Sequence, residues 1–174
     1  TIAPGKTLSW LAEKFGKDVK IVRTMPNTPA LVGEGMTGAT PNEFVTEAEL
    51  KYVCEILSGF SKVEVISEKL MDTVVAVSGS SPAYVFMFIE AMADEAVAEG
   101  MPRALAYEFA AQAVLGSAKM VLETGKHPGE LKDMVCSPGG TTIEGLAALE
   151  ESGFRGAIIK ACDANFEKNK KLKG

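Results

Sequence analysis

Three short segments of this sequence bring together residue types that can hold a small ligand. The first is Val135-Cys136-Ser137-Pro138-Gly139-Gly140-Thr141-Thr142-Ile143, a pair of glycines flanked by hydroxyls and leading into a helical pattern. Glycines let backbone N–H groups approach a ligand closely. A helix opening at Thr141 aims its unpaired N–H groups and positive dipole end at the same spot. This suits a carboxylate or phosphate, with the hydroxyls of Ser137, Thr141 and Thr142 as further partners. A plain interhelical turn with Thr141 as N-cap would use the same residues. The second segment is Ser78-Gly79-Ser80-Ser81-Pro82, a small-residue loop into a helix, which also reads as a capped turn. The third is Met25-Pro26-Asn27-Thr28-Pro29, a proline-stiffened loop after a strand, where ligand crevices of open α/β sheets form. A fixed turn without a ligand is the alternative there.

Other chemistry has little support. The single histidine, His127, precedes Pro128 at a helix start and reads as a cap or surface residue. Cys136 stands close to a helix N-terminus but reads as a small, packed side chain. Glu90 and Asp94, one turn apart, read as structural or rim residues. The sequence has no H-E-x-x-H, G-x-S-x-G, Walker A or EF-hand spacing, and no metal site is expected. Cys54, Cys136 and Cys162 are odd in number and far apart, which argues against a disulfide framework or structural zinc and for a reducing, cytoplasmic setting.

The elements that must position these segments change character along the chain. Thr7–Phe15 reads as a helix stopped by Gly16, Val19–Arg23 alternates like a strand, and Met36–Thr40 reads as another. Thr46 and Glu49 form a capping box for a helix to Leu57, and Lys62–Ile66 is the last strand signal. Strands alternating with helices imply a parallel or mixed sheet, here too short to be complete. After Ser67 only helices are expected. One runs from a Ser67 cap to Val77, and Ser78–Ser81 follows as a loop. Helices then open at Pro82, Pro102 and Pro128. A second capping box, Thr141 to Glu144, starts a helix ending at Ser152-Gly153, and the last helix runs from Phe154 into a lysine-rich tail. The reading is mainly α with a partial α/β N-terminal part, divided into residues 1–67 and 68–174.

The 174 residues are enough to bury a core, and the composition is that of an ordinary globular chain. The net charge of −5 argues against nucleic acid as a partner. The basic cluster Lys168, Lys170, Lys171 and Lys173 reads as a solvated helix end. The apolar run Ala83–Ile89, closed by Glu90, falls short of a bilayer crossing, and no membrane span is expected. The start Thr1-Ile2-Ala3-Pro4-Gly5 has no initiator Met or targeting character, as if the chain began inside a longer protein. The helix from Pro82 to Glu99 is apolar in every direction and needs cover on all sides. Interleaving with a second copy is preferred to a monomeric bundle.

Several motifs occur together in one family. Met25-Pro26-Asn27-Thr28-Pro29, Ser78-Gly79-Ser80-Ser81-Pro82-Ala83-Tyr84, Gly100-Met101-Pro102-Arg103, His127-Pro128-Gly129 and Ser137-Pro138-Gly139-Gly140-Thr141-Thr142 stand in this order and spacing in pyrroline-5-carboxylate reductases. The chain resembles that family over essentially its whole length, most closely from Glu130 to Thr142. Ser81, where many relatives have Gly, is a mild departure.

The resemblance implies the end of a Rossmann-type cofactor domain followed by an all-helical dimerisation domain. It implies reduction of 1-pyrroline-5-carboxylate to L-proline with NADPH or NADH, in an intertwined homodimer, with rings of dimers common. The substrate is then expected at the subunit interface, facing the nicotinamide. By the same analogy Ser137 and the amides of Gly139, Gly140, Thr141 and Thr142 hold the substrate carboxylate. The Thr142 hydroxyl is the group nearest the ring nitrogen, and Asn27 and Thr28 lie by the nicotinamide end of the cofactor. The family's glycine-rich phosphate loop is expected upstream of Thr1, so this chain alone is expected to lack tight cofactor binding and turnover. A related reductase acting on a hydroxy acid or another imine, or a non-catalytic helical oligomerisation module, are the other readings. Against the former, no helix-borne Lys stands beside a glycine-rich loop.

Overall fold

A computed structural model describes residues 1–172; Lys173 of the basic tail lies outside the described residues. The described chain is mainly helical with a three-stranded sheet near its start. Its described residues divide into two compact units, residues 1–82 with 160–172, and residues 83–159.

The first unit is built on strands β1 (Val22–Met25), β2 (Gly35–Pro41) and β3 (Ser61–Val65), in that spatial order. β1 and β2 are antiparallel, with Val22 opposite Pro41 and Met25 opposite Gly38. β2 and β3 are parallel, with Gly35 opposite Ser61 and Ala39 opposite Val65. The sheet is therefore mixed. β2 is the central strand and is closed on both faces, so its sequence lacks the alternation of a half-exposed strand. Close packing also fixes its small residues. A Cβ on Gly35 would lie 2.5 Å from the Ser61 hydroxyl, and one on Gly38 would lie 3.1 Å from the Ile66 side chain. β1 starts three residues later than the alternation of Val19–Arg23 suggests. Val19 and Ile21 instead pair with the Asn42 side chain, which accepts from the Ile21 N–H (3.0 Å) and donates to the Val19 carbonyl (2.8 Å).

Helix α1 (Leu8–Phe15) is capped by Thr7 and closed by Gly16 in the left-handed region (φ 62°). Helix α2 (Glu47–Leu57) carries the expected capping box at Thr46 and Glu49. The buried guanidinium of Arg23 in β1 pairs with Glu68 at 2.9 Å, its side chain only 5% exposed against 30% for Glu68. The same carboxylate accepts the Leu8 N–H at 2.7 Å. One acidic side chain thus neutralises a cation in the sheet and satisfies an orphan donor at the start of α1.

Beyond β3 the expected helix–loop–helix is replaced by one continuous helical path. A 3-10 turn (Glu68–Leu70), helix α3 (Met71–Val74) and a π-turn (Val75–Gly79) lead into α4 (Ser81–Ala98). Ser67 does not cap the path through its side chain, and Ser78–Ser81 is not a loop. This continuity makes residues 68–98 long and apolar enough, by length and composition, to cross a membrane, which the shorter run Ala83–Ile89 is not.

The second unit holds most of α4, with α5 (Arg103–Thr124), α6 (Pro128–Val135), α7 (Thr141–Glu151) and the start of α8 (Phe154–Leu172). Among its described residues the buried apolar side chains are small or few: Ala93, Ala106, Ala110 and Leu131. Large ones face outward, with Phe86 59%, Met87 68% and Leu122 74% exposed. Phe88 and Phe154 meet at 6.0 Å between ring centres, and Asp94 pairs with Arg103, whose guanidinium lies over the Tyr107 ring.

Two outcomes follow. Glu68→Ala should lower stability to unfolding by about 2–4 kcal/mol, because it strands a buried guanidinium while Glu68 itself keeps some contact with water. Denaturant titration reads this, and a loss under about 1 kcal/mol would mean water replaces the carboxylate. The Glu49 carboxyl is held at about 2, below its ordinary 4.5, first by the hydrogen bond from Lys20 and then by the Thr46 N–H and hydroxyl. A lowered folded value gives stability that is complete above about 4.5 and lost as pH falls toward about 2. Glu49→Gln should flatten the acid limb of a melting-temperature profile across that window, and parallel profiles would exclude the effect.

Candidate functional site

A candidate site lies between α6 and α7. The α6 helix opens at His127, whose Nδ1 accepts the Gly129 N–H at 3.0 Å, so the one histidine is a cap. After Val135 the chain turns through Ser137-Pro138-Gly139-Gly140, closed by the Gly140 N–H donating to the Ser137 carbonyl at 3.0 Å. Pro138 suits the second position of this turn, and Gly139 at φ 66° supplies the left-handed third position, the pattern of a type II turn. Gly140 is then extended (φ −82°, ψ 171°) and is itself the N-cap of α7.

The expected capping box at Thr141–Glu144 is not formed: Thr141 is the first helical residue, and no side chain caps α7. The reason is the turn, which spends the extended cap position on Gly140 and carries Thr141 into the helix. Among the described residues no side chain caps the N–H groups of the α7 N-terminus, as an anion site requires. Ser137, Gly139 and Thr141 are set around it, with Gly140 and Thr142 in the same turn of chain. The Ser137 hydroxyl lies folded over Gly140, 2.3 Å from where a Cβ would stand. All the residues expected to hold a carboxylate, Ser137, Gly139, Gly140, Thr141 and Thr142, thus belong to one turn and the first helical turn after it. On α6 the Lys132 ammonium is held above its usual value mainly by its hydrogen bond to Asp133, so it stays a cation next to this turn. Cys136 is half-buried.

The Met25–Pro29 loop leaves the end of β1 and enters a 3-10 turn, Thr28–Val32. Thr28 is exposed. Asn27 is engaged within the fold: its Oδ1 accepts the Met36 N–H at 2.8 Å, and its Nδ2 donates to the Ser78 carbonyl at 3.1 Å. Sequence reasoning did not anticipate that link, nor the bonds from α8 that flank it. Ser80 Oγ lies 2.7 Å from Asn165 Oδ1, and Asn169 Nδ2 donates to Asp72 at 2.8 Å. One signal was available. Pro82, four residues after Ser78, has no N–H to offer the Ser78 carbonyl, so another donor must be found.

Helices with uncovered apolar faces, a small mixed sheet and a glycine turn leading into an uncapped helix define a helical self-association unit attached to part of an α/β cofactor-type domain. The chain belongs to the pyrroline-5-carboxylate reductase dimerisation family, which matches residues 68–172. It is 64% identical over 172 residues to a pyrroline-5-carboxylate reductase of Escherichia coli (strain K12), covering 99% of this chain and 64% of that protein. Among solved structures it matches a Plasmodium falciparum pyrroline carboxylate reductase with NADP bound at TM-score 0.92 and 39% identity, covering 99% of this chain and 70% of that one. A Coxiella burnetii pyrroline-5-carboxylate reductase matches at TM-score 0.93 and 36% identity, covering 99% and 64%. The chain therefore spans a little under two thirds of the curated relatives' length. The fold is the end of a Rossmann-type domain followed by a helical dimerisation domain.

Gly140→Ala tests the turn. Its Cβ would displace the Ser137 hydroxyl and crowd the Ser137 carbonyl at 3.1 Å. Binding of a small carboxylate such as L-proline, read by calorimetry, should weaken about tenfold, the scale of one lost charge-assisted hydrogen bond. Unchanged affinity would remove the turn from carboxylate binding.

Proposed function

We propose that this chain is part of an enzyme that reduces 1-pyrroline-5-carboxylate to L-proline, the last step of proline biosynthesis, with NADPH or NADH. The observation that carries the reading is the uncapped α7 N-terminus over the Ser137–Gly140 turn, in a chain 64% identical to a reductase of that name. The substrate is a small cyclic imine bearing a carboxylate. It needs an anion anchor, a hydrogen-bond partner at nitrogen and firm orientation, and it needs neither a nucleophile nor a metal.

The Ser137 hydroxyl and the amides of Gly139, Gly140, Thr141 and Thr142 hold the carboxylate. The Thr142 hydroxyl, in the first turn of the same helix, is the partner of the ring nitrogen, where electron density and a proton accumulate as C=N becomes CH–NH. The nicotinamide supplies the hydride. Its end of the cofactor fits the loop after β1, where exposed Thr28 has a hydroxyl to offer and Asn27 keeps the loop in place. The boundary between cofactor-type and helical domains is placed after residue 67.

The apolar faces of α4 and α5 belong in an intertwined homodimer, which rings of dimers can extend, rather than in a bilayer. Membership of a dimerisation family favours this over the membrane reading of residues 68–98. No nucleic acid or membrane partner is assigned, and the location is cytoplasmic.

The test is NAD(P)H oxidation with pyrroline-5-carboxylate by the complete gene product. Thr142→Ala should cost about 1–3 kcal/mol in kcat/KM, the scale of a hydrogen bond at a buried polar site. Unchanged efficiency would take Thr142 out of the mechanism. A folded, cofactor-binding protein without turnover would direct the search to a related imine or acid. Dimers that ignore L-proline as well would favour a non-catalytic oligomerisation module.

A further inference from the structure

We propose that Asn27 is a positioning residue, acting as a bracket that ties the cofactor-side loop after β1 to the π-turn at the head of α4. This rests on the functional reading above for what the loop positions, and on hydrogen bonds alone for how.

Two N–H groups are missing from the backbone here, at Pro26 and Pro82. In a regular helix the Ser78 carbonyl would accept from the N–H of residue 82, but residue 82 is proline. The helical path widens there into the π-turn, with the Ser80 N–H donating back to the Val75 carbonyl at 2.9 Å. The Ser78 carbonyl is taken up by Asn27 Nδ2 at 3.1 Å. At the strand end Pro26 likewise has no N–H, and β1 stops at Met25. Met25 stands opposite Gly38, so extending the antiparallel register beyond the strand end brings Asn27 opposite Met36. The Met36 N–H donates to the Asn27 side chain at 2.8 Å. One planar amide therefore answers a strand end and a helix interruption together.

Asparagine is the residue this geometry requires. Its partners are a carbonyl on one side and an N–H on the other, which also fixes the amide's orientation. Aspartate would lose the donor, and alanine would lose both bonds. The bracket is supported on either side. The Asn27 backbone carbonyl accepts the Ala30 N–H at 3.1 Å, starting the Thr28–Val32 turn. Beneath the π-turn a Cβ on Gly79 would already touch the Met25 side chain at 3.4 Å. From α8, Asn165 and Asn169 reach Ser80 and Asp72. The loop that carries Thr28 is thus held in place through Asn27.

The experiment compares Asn27→Asp, Asn27→Ala and Asn27→Asp/Pro82→Ala in the complete gene product. The two single variants should each weaken NAD(P)H about tenfold, as a dissociation constant by fluorescence and as KM, while KM for pyrroline-5-carboxylate stays within about twofold. Parallel behaviour of the neutral and charged replacements excludes a charge effect. In the double variant the alanine replacing Pro82 returns an N–H to the Ser78 carbonyl, so the melting temperature lost in Asn27→Asp should recover while the cofactor constant stays raised. A fall in kcat with both KM values unchanged, no effect, or recovery of cofactor affinity together with stability would overturn the proposal. Absence of wild-type turnover with pyrroline-5-carboxylate would sink the functional reading alone, because the cofactor dissociation constants still test Asn27.

Discussion

A helix that is apolar on every side sets the terms for this chain. From Ala83 to Ile89 successive residues of α4 cover all directions of two turns, so no single packed face can hide them. Within its own unit only Ala93 of α4 is buried, and large side chains such as Phe86 and Met87 remain uncovered. The neighbouring helices repeat the pattern. Their buried positions are mostly alanines, where backbones can approach, and their bulky groups turn outward. A unit organised this way has most of its hydrophobic stabilisation still to gain, at about 25 cal/mol per Å² of apolar surface removed from water. Membership of a dimerisation family fits that deficit.

The sheet-bearing unit is stabilised differently. Its buried positions include many polar residues, among them Arg23, Thr37, Thr40, Asn42 and Asn169, and among the described residues none of the buried polar side-chain atoms lacks a partner. Thr37 donates to Ser61 across β2 and β3, Asn42 bridges Val19 and Ile21, and Glu68 joins Arg23 to the start of α1. Buried polar groups are costly unless satisfied, so a fully paired set fixes one arrangement of loops and helix ends. The loop after β1 is tied into the same unit by Asn27, whose side chain bonds Met36 and Ser78.

Local signals were legible where a few adjacent residues settle the outcome. The capping box at Thr46 and Glu49, the stop at Gly16 and the turn around Gly139 each depend on backbone geometry and side chains within four residues. Reading failed where the deciding partner is distant. Ser78–Ser81 looks like a loop from its composition, yet Ser78 and Gly79 lie in the π-turn and Ser81 opens α4, with the Ser78 carbonyl taking a hydrogen bond from Asn27 where Pro82 has none to give. Val19 resembles a strand residue but is captured by Asn42. At Thr141 the error was one residue: the Ser137–Gly140 turn takes the cap position, and the threonine hydroxyls do not cap the helix.

By itself the sequence determined the change from strands to helices near residue 67, the placement of Ser137, Gly139, Gly140, Thr141 and Thr142 at one turn and helix start, and the surplus of apolar helix surface. Those follow from periodicity, turn chemistry and capping preferences, which act over a few residues. Tertiary structure decided the mixed strand order, the double duty of Glu68, the uncapped state of α7 and the use of the Asn27 amide as a bracket. Each of these is a pairing of hydrogen-bonding groups or a choice between competing partners that only the folded chain brings within reach, and local propensity carries no information about such distant donors and acceptors.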